Sequence, residues 1–354
     1  VSNIQTTDMS NQDNTNHNKP VIGISIGDLN GIGPEVIIYA LSDQRILNMV
    51  TPVIYGSTKV LSYYRKLFKL DDFNYSQIKD LSNPYHRKVN VYNCWQEMVE
   101  INVGQVTPEG GQYAFKALES ATGHLKSGQI DALVTAPINK KNIQSDEFKF
   151  PGHTEYITEK LEGKDSLMMM VDEDMRVGVV TGHIPLKSVP FSITQDLLRS
   201  KLKIMLQSLK NDFGILKPKV AVLGLNPHAG EEGLFGDEEE TIIKPVLAET
   251  KKKGNLVFGP FPADGFFGSM QHNKFDGVLA MYHDQGLAPF KIMGFESGVN
   301  YTAGLSKVRT SPDHGTGYAI AGKRQANHKS MQAAIYLAAD IIRQRKEADV
   351  SVDI

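Results

Sequence analysis

The run Val278-Leu279-Ala280-Met281-Tyr282, closed in by Gly277 before it and by His283-Asp284-Gln285-Gly286 after it, constrains this chain more than any other stretch. An apolar run of strand length that passes into a polar, ionisable loop suits a core strand of an α/β sheet. Ligands of such sheets bind just beyond the carboxyl ends of the strands, which is where His283 and Asp284 fall. Runs of the same kind recur at Val21–Ile26, Pro52–Tyr55, Val89–Tyr92, Asp131–Ala136 and Val220–Leu225. Between them lie helix-like stretches at Glu35–Leu41, opened by Pro34, and at Ser57–Phe68, Glu109–Lys126 and Gln195–Asn211, with a last one over Lys329–Arg345. Strand and helix alternate, so the expected class is α/β.

Leu167–Val171 and Arg176–Val180, joined by the acidic turn Asp172-Glu173-Asp174, read as a hairpin, which makes the sheet mixed. Met168-Met169-Met170 within it reads as core filling. The glycine-rich Gly27-Asp28-Leu29-Asn30-Gly31-Ile32-Gly33 between the first strand and helix invites a nucleotide-binding reading. Its spacing nevertheless matches neither GxGxxG nor a P-loop, and a tight turn explains it as well. Phe258–Gly265 reads as a rigid Pro-rich loop, Thr154 as a helix cap, and Asp237-Glu238-Glu239-Glu240 as the charged start of a helix.

The 354 residues, 41% hydrophobic and 22% charged with a net charge of -2, describe a soluble chain with no broad attraction for nucleic acid or membrane. Cys94 is the lone cysteine, which excludes an intrachain disulfide and fits a reducing cytoplasm. No apolar run is long enough to span a bilayer. Residues 1–19 read as a disordered tail, and Met9 is a candidate start, since the sequence opens on Val1.

Three of the ten histidines share one grammar: His183, His228 and His283 each follow a predicted buried strand by one or two residues. Singly, each reads more readily as a hydrogen-bonded structural residue. Three such ends converging would form an open, His-only divalent metal site. Lys291 and Arg309 suit a phosphate or carboxylate, or are ordinary surface charge. Asp264 is a general acid or base if buried, and otherwise a turn residue. Asp313-His314-Gly315-Thr316-Gly317 offers amides and a hydroxyl to an anionic or adenine-bearing ligand, as a plain loop also would.

Together, Gly31-Ile32-Gly33-Pro34-Glu35, Ala136-Pro137-Ile138-Asn139-Lys140, Gly152-His153-Thr154-Glu155, Asn226-Pro227-His228-Ala229-Gly230-Glu231, Tyr282-His283-Asp284-Gln285-Gly286 and Arg309-Thr310-Ser311-Pro312-Asp313-His314-Gly315-Thr316 resemble the 4-hydroxythreonine-4-phosphate dehydrogenase family of pyridoxal phosphate (vitamin B6) biosynthesis. The resemblance runs from Val21 to Gly322. It implies an oxidative decarboxylase that converts 4-phosphohydroxy-L-threonine to 3-amino-2-oxopropyl phosphate with NAD, NADP being the alternative. The implied fold is of the isocitrate and isopropylmalate dehydrogenase type, two α/β domains around a cleft. The corresponding division is 20–134 plus 288–354 as the cofactor side and 135–287 as the metal-binding and dimerisation side.

The family's metal ligands match His183, His228 and His283, and the metal is zinc, cobalt or magnesium. Its substrate contacts match His153, Thr154, Lys291, Asn300 and Arg309, and its cofactor contacts match Asp313, His314, Gly315 and Thr316. Asp264 and Lys291 are the alternatives for proton transfer. Family members are homodimers whose sites draw on both subunits, so the three histidines need not come from one chain. Two departures bear on the cleft: Leu29-Asn30 stand where Pro and Ala are common, and Ser306-Lys307 where an apolar pair is. D-threonate or D-erythronate 4-phosphate is therefore the alternative substrate, and a non-catalytic phosphometabolite-binding protein the alternative from another class.

Overall fold

The structure is a computed structural model that describes residues 19–294 and 296–352. Of the tail expected over residues 1–19, only Lys19 lies among them. The chain divides into two compact units, one made of the segment up to Gln144 with Thr316–His328, the other of Ser145–Gly315 with the chain from Lys329 onward.

The first unit carries β1 (Val21–Ser25), β2 (Thr51–Gly56), β3 (Tyr75–Ile78), β4 (Val89–Asn93) and β5 (Ala132–Thr135) in the order β3-β4-β2-β1-β5. Every pairing among them is parallel. Parallel strands need crossovers, which here include α1 (Gly33–Leu41), α2 (Thr58–Phe68) and α3 (Pro108–Lys126). Pro34 stands in the first turn of α1, and the hydroxyls of Ser57 and Thr107 cap α2 and α3. β1, β2 and β5 are almost wholly buried, as strands covered on both faces must be.

The glycine-rich stretch after β1 is a tight turn. A Cβ at Gly27, where φ is +72°, would stand 2.5 Å from the Pro137 carbonyl oxygen, and one at Gly31 would stand 2.7 Å from that of Thr316. These glycines let backbone approach backbone within the unit. The fully buried Asp28 locks the turn, accepting from the Asn30 N–H (2.9 Å), the Asn142 amide (2.8 Å) and the Tyr318 hydroxyl (2.8 Å).

The second unit carries β6 (Leu167–Val171), β7 (Arg176–Thr181), β8 (Lys219–Leu223), β9 (Leu256–Phe261), β10 (Gly277–Tyr282), β11 (Val299–Ala303) and β12 (Val308–Pro312) in the order β12-β11-β6-β7-β10-β8-β9. The expected hairpin is β6–β7, with Met169 opposite Gly178 and Val171 opposite Arg176. β12, β11, β6 and β7 run antiparallel in turn, and β7, β10, β8 and β9 run parallel, so the sheet is mixed as expected. Met169 and Met170 are fully buried, with Met170 in a core shared by Val177, Val179, Leu223, Ala280 and Phe290. The longer helices of this unit are α4 (His153–Lys160), α5 (Gln195–Asn211), α6 (Lys244–Lys252), α7 (His283–Met293) and α8 (Lys329–Val352).

Three expectations are corrected. The stretch after β10 is not a loop: α7 begins at His283, with Gly286 and Pro289 inside it. Phe258–Gly265 is the end of β9 and the start of a short helix, Ala263–Gly268. Gly152, and not Thr154, occupies the N-cap of α4. The bounds of the two units also differ from the division read from the sequence. β11 and β12 are hydrogen-bonded into the sheet of β6, which carries 288–315 and α8 with the second unit.

One polar cluster in this unit gives a pH prediction. Burial pushes the Asp165 carboxyl up, but hydrogen bonds from Lys201 and Ser200, the Lys201 charge and the Ser166 N–H outweigh it and leave the pKa lowered. A depressed carboxylate stabilises the fold above its unfolded pKa, near about 4, and loses that contribution as pH falls through the folded value. The gap in thermal midpoint between the wild type and Asp165→Asn should therefore be present at neutral pH and close in acid.

Candidate active site

The parallel strands β7 and β10 are paired with Tyr282 opposite Thr181, so they release His183 and His283 side by side. The two imidazole centroids lie 5.2 Å apart. Nδ1 of His283 is 2.6 Å from a carboxylate oxygen of Asp284, which fixes the ring and leaves Nε2 as the nitrogen for a ligand. About two turns along α7 from His283, Lys291 Nζ lies 3.2 Å from Asp313 Oδ1. Burial pushes the Asp313 carboxyl up, against the lowering influence of Lys291 and of His283. His283, Lys291 and Asp313 are thus electrostatic neighbours. Burial likewise pushes His314 down.

A second group stands on β11 and β12. Arg309 is 2% exposed, and burial pushes its guanidinium down to about 10 against the charge of Glu155. A group with that pKa is still a cation at neutral pH, held inside the protein. Its Nη1 donates to Thr302 (3.2 Å) and to Thr154 (3.4 Å). Asn300 faces Ser311 across the strand pair, and its buried Oδ1 has no hydrogen-bond partner among the described residues. Thr154, Glu155 and His183 also share the lining of a cavity of about 490 Å³. The second unit therefore gathers imidazoles, a lysine and a buried arginine with hydroxyl and amide groups, a set suited to a small polyanionic substrate.

Not every expected residue joins them. His228 sits beyond β8 on the turn Pro227–Gly233, and among the described residues no group of three or more histidine, cysteine, aspartate or glutamate side chains is placed to hold a metal. The expected convergence of three imidazoles is thus reduced, within this chain, to the pair His183 and His283. That pair, with one ring held from behind by a carboxylate, has donors that suit a divalent transition metal but are too few to complete a site alone. Asp264 is exposed, in the short helix that packs on the His228 turn. Of the expected cofactor loop, Asp313, His314 and Gly315 belong to the second unit and Thr316 to the first. Thr316 is held by its carbonyl, which accepts from the Ile32 N–H at 2.8 Å.

Two residues that sequence reading passed over hold the strand ends. Gln285 accepts from the Met281 N–H and donates to the Gly224 carbonyl, both at 2.7 Å, so it ties the end of β10 to the end of β8. Glu239, fully buried, accepts from the N–H groups of Leu225 (2.6 Å) and Asn226 (2.8 Å) and from the Asn226 amide (3.0 Å). Its sequence signal was one glutamate within an acidic run, which does not say which member turns inward.

Comparison with known proteins gives the family. Residues 48–338 match the model of the family described as pyridoxal phosphate biosynthetic protein PdxA. The chain is 51% identical, over 93% of its length and 90% of the relative's, to a 4-hydroxythreonine-4-phosphate dehydrogenase of Bacteroides thetaiotaomicron. It is 35% identical, over 90% of its length and 98% of the relative's, to a D-threonate 4-phosphate dehydrogenase of Pectobacterium atrosepticum. Its structure is similar to the crystal structure of a 4-hydroxythreonine-4-phosphate dehydrogenase from Klebsiella pneumoniae, with a TM-score of 0.79 and 34% identity, covering 92% of this chain and 98% of that one. The resemblance read from the motifs is the one these comparisons return, and the chain belongs to the PdxA family of pyridoxal phosphate biosynthetic proteins.

Proposed function

We propose that this chain oxidises and decarboxylates 4-phosphohydroxy-L-threonine to 3-amino-2-oxopropyl phosphate with NAD, a step of pyridoxal phosphate biosynthesis. The observation that carries the reading is the paired His183 and His283 at adjacent strand ends, with Lys291 and Asp313 beside them. The names of the relatives supply the substrate class and the dehydrogenase chemistry, hence a nicotinamide cofactor.

A divalent metal held by His183, His228 and His283 would lower the pKa of the substrate hydroxyl and ease hydride transfer to the nicotinamide. The other roles belong to the chain itself. Arg309, buried and steadied by Thr154 and Thr302, binds an anionic group of the substrate, with Asn300 and His153 alongside. Lys291 returns the proton to carbon after carbon dioxide leaves; its contact with Asp313 beside His283 favours it over the exposed Asp264. His314, Gly315 and Thr316 are assigned to the cofactor.

The site is shared between two copies of the chain. Among the described residues of one chain the third imidazole does not converge, and exposed apolar side chains follow three of the site residues: Leu186 (71%) and Phe191 (89%) after His183, Leu234 (73%) after His228, and Ile292 (85%) after Lys291. Large apolar groups exposed beside a polar site mark an interface. No helix among the described residues is long and apolar enough to cross a membrane.

The substrate is tested by NADH absorbance with 4-phosphohydroxy-L-threonine, D-threonate 4-phosphate and D-erythronate 4-phosphate in parallel. The first should have the highest kcat/KM. Preference for D-threonate 4-phosphate would reassign the chain to the activity that the Pectobacterium relative's name gives, and preference for D-erythronate 4-phosphate to that other hydroxy-acid substrate.

A further inference from the structure

The longest left-handed run of backbone among the described residues is the turn that carries His228. His228, Ala229, Gly230, Glu231 and Glu232 have φ of 52°, 53°, 83°, 42° and 55°, and Gly233 follows at 96°. Four of these six are not glycine. For such residues a left-handed run is disfavoured at each position, because Cβ crowds the following carbonyl. A run of this kind persists only where its surroundings hold it.

Those surroundings are the two carboxylates ahead of α6: Glu238 accepts from the Asn226 amide at 2.6 Å, and the buried Glu239 makes the larger set of contacts. Glu239 reaches from the π-type turn Glu239–Ile243, just ahead of α6, to the entry of the left-handed run, where it accepts two successive backbone N–H groups and the Asn226 amide. The carboxylate also fits against the run itself. A Cβ at Gly230 would stand 2.7 Å from Oε2, and one at Gly224 would stand 3.0 Å from Oε1. Upstream, Gln285 fixes the Gly224 carbonyl to the strand end that carries His283. A continuous chain of contacts therefore runs from the His283 end of β10, through Gln285 and Gly224, to Leu225, Asn226 and the carboxylate under the His228 turn.

We propose that Glu239 is a positioning residue: its carboxylate holds the left-handed turn at Asn226–Gly233 and thereby sets where His228 presents its imidazole. The proposal rests on the reading of His228 as a metal ligand. Glu239→Gln keeps the shape but turns one acceptor into a donor facing the Asn226 amide, so the clamp loosens while the core stays filled.

The test uses the full-length, metal-free variant and two readouts. Amide exchange over residues 225–233 should be about tenfold faster or more than in the wild type, with the rest of the second unit unchanged. Zn²⁺ affinity, measured by equilibrium dialysis, should fall roughly 10-fold to 100-fold, the usual effect of losing a group that orients a ligand. Glu35→Gln serves as control. That buried carboxylate accepts the N–H groups of Gly322 and Ala326 in the other unit, so its loss should leave both readouts as in the wild type. Unchanged exchange over 225–233 in Glu239→Gln would overturn the clamp. Faster exchange with unchanged Zn²⁺ affinity would overturn its positioning of His228. A wild type that binds no Zn²⁺ at all would instead sink the metal reading, and the exchange result would then decide the clamp on its own.

Discussion

His283→Ala should lose turnover by on the order of a thousandfold or more while unfolding at the same temperature as the wild type. The size follows from the several kcal/mol of charge stabilisation that a catalytic metal provides, at 1.36 kcal/mol per factor of ten. The intact fold follows from where the side chain lies: it is about a third exposed, at the first position of α7, and its hydrogen bond to Asp284 is at the surface. Removing it empties no core. Steady-state NADH production and a thermal melt on the same preparation check both halves. Asp284→Asn should give a smaller loss, roughly 10-fold to 100-fold, because it leaves the ligand in place and only weakens its orientation.

The second large effect is on stability and lies away from the histidines. Asp212, 5% exposed at the end of α5, accepts from Ser208 (2.6 Å), Tyr301 (2.6 Å) and Arg345 (2.7 Å). Arg345 also donates to the carbonyls of Leu305 and Ser306. One carboxylate thus joins α5, β11 and α8, the elements that keep β11 and β12, with Asn300 and Arg309 on them, in the sheet. Asp212→Ala would leave a buried hydroxyl and a mostly buried guanidinium without their acceptor, which costs about 3–5 kcal/mol when one partner of a buried pair is removed. Urea unfolding of the purified variant measures this. A loss under about 1 kcal/mol, the scale of an exposed pair, would show that water replaces the carboxylate.

The strands that could be read from the sequence are β1, β2, β4, β5, β8 and β10 and the hairpin β6–β7, most of which write a nearly unbroken apolar run because they are buried. β11 and β12 escaped because polar residues interrupt their apolar ones, Asn300 and Thr302 in β11 and Arg309, Thr310 and Ser311 in β12, and two of these, Asn300 and Arg309, are proposed to contact the substrate. A strand that serves the site therefore disguises itself in the sequence. α7 was missed for a related reason. Gly286 and Pro289 read as breakers, yet Gly286 lets the helix lie close on β7 and β10, where a Cβ would stand 2.8 Å from Val177 and 3.1 Å from Ala280. The grammar of a histidine after each buried strand applies to His183 and His283, which lie side by side, and to His228, which stands on a left-handed turn beyond β8 of which the strand pattern says nothing.

The central claim, a metal-assisted oxidation coupled to decarboxylation, is tested most directly by counting products. With 4-phosphohydroxy-L-threonine, NAD and added divalent metal, each substrate molecule consumed should yield one NADH and one carbon dioxide, and chelator should stop both together. NADH without carbon dioxide, or neither product from any of the three phosphorylated substrates, would contradict the account.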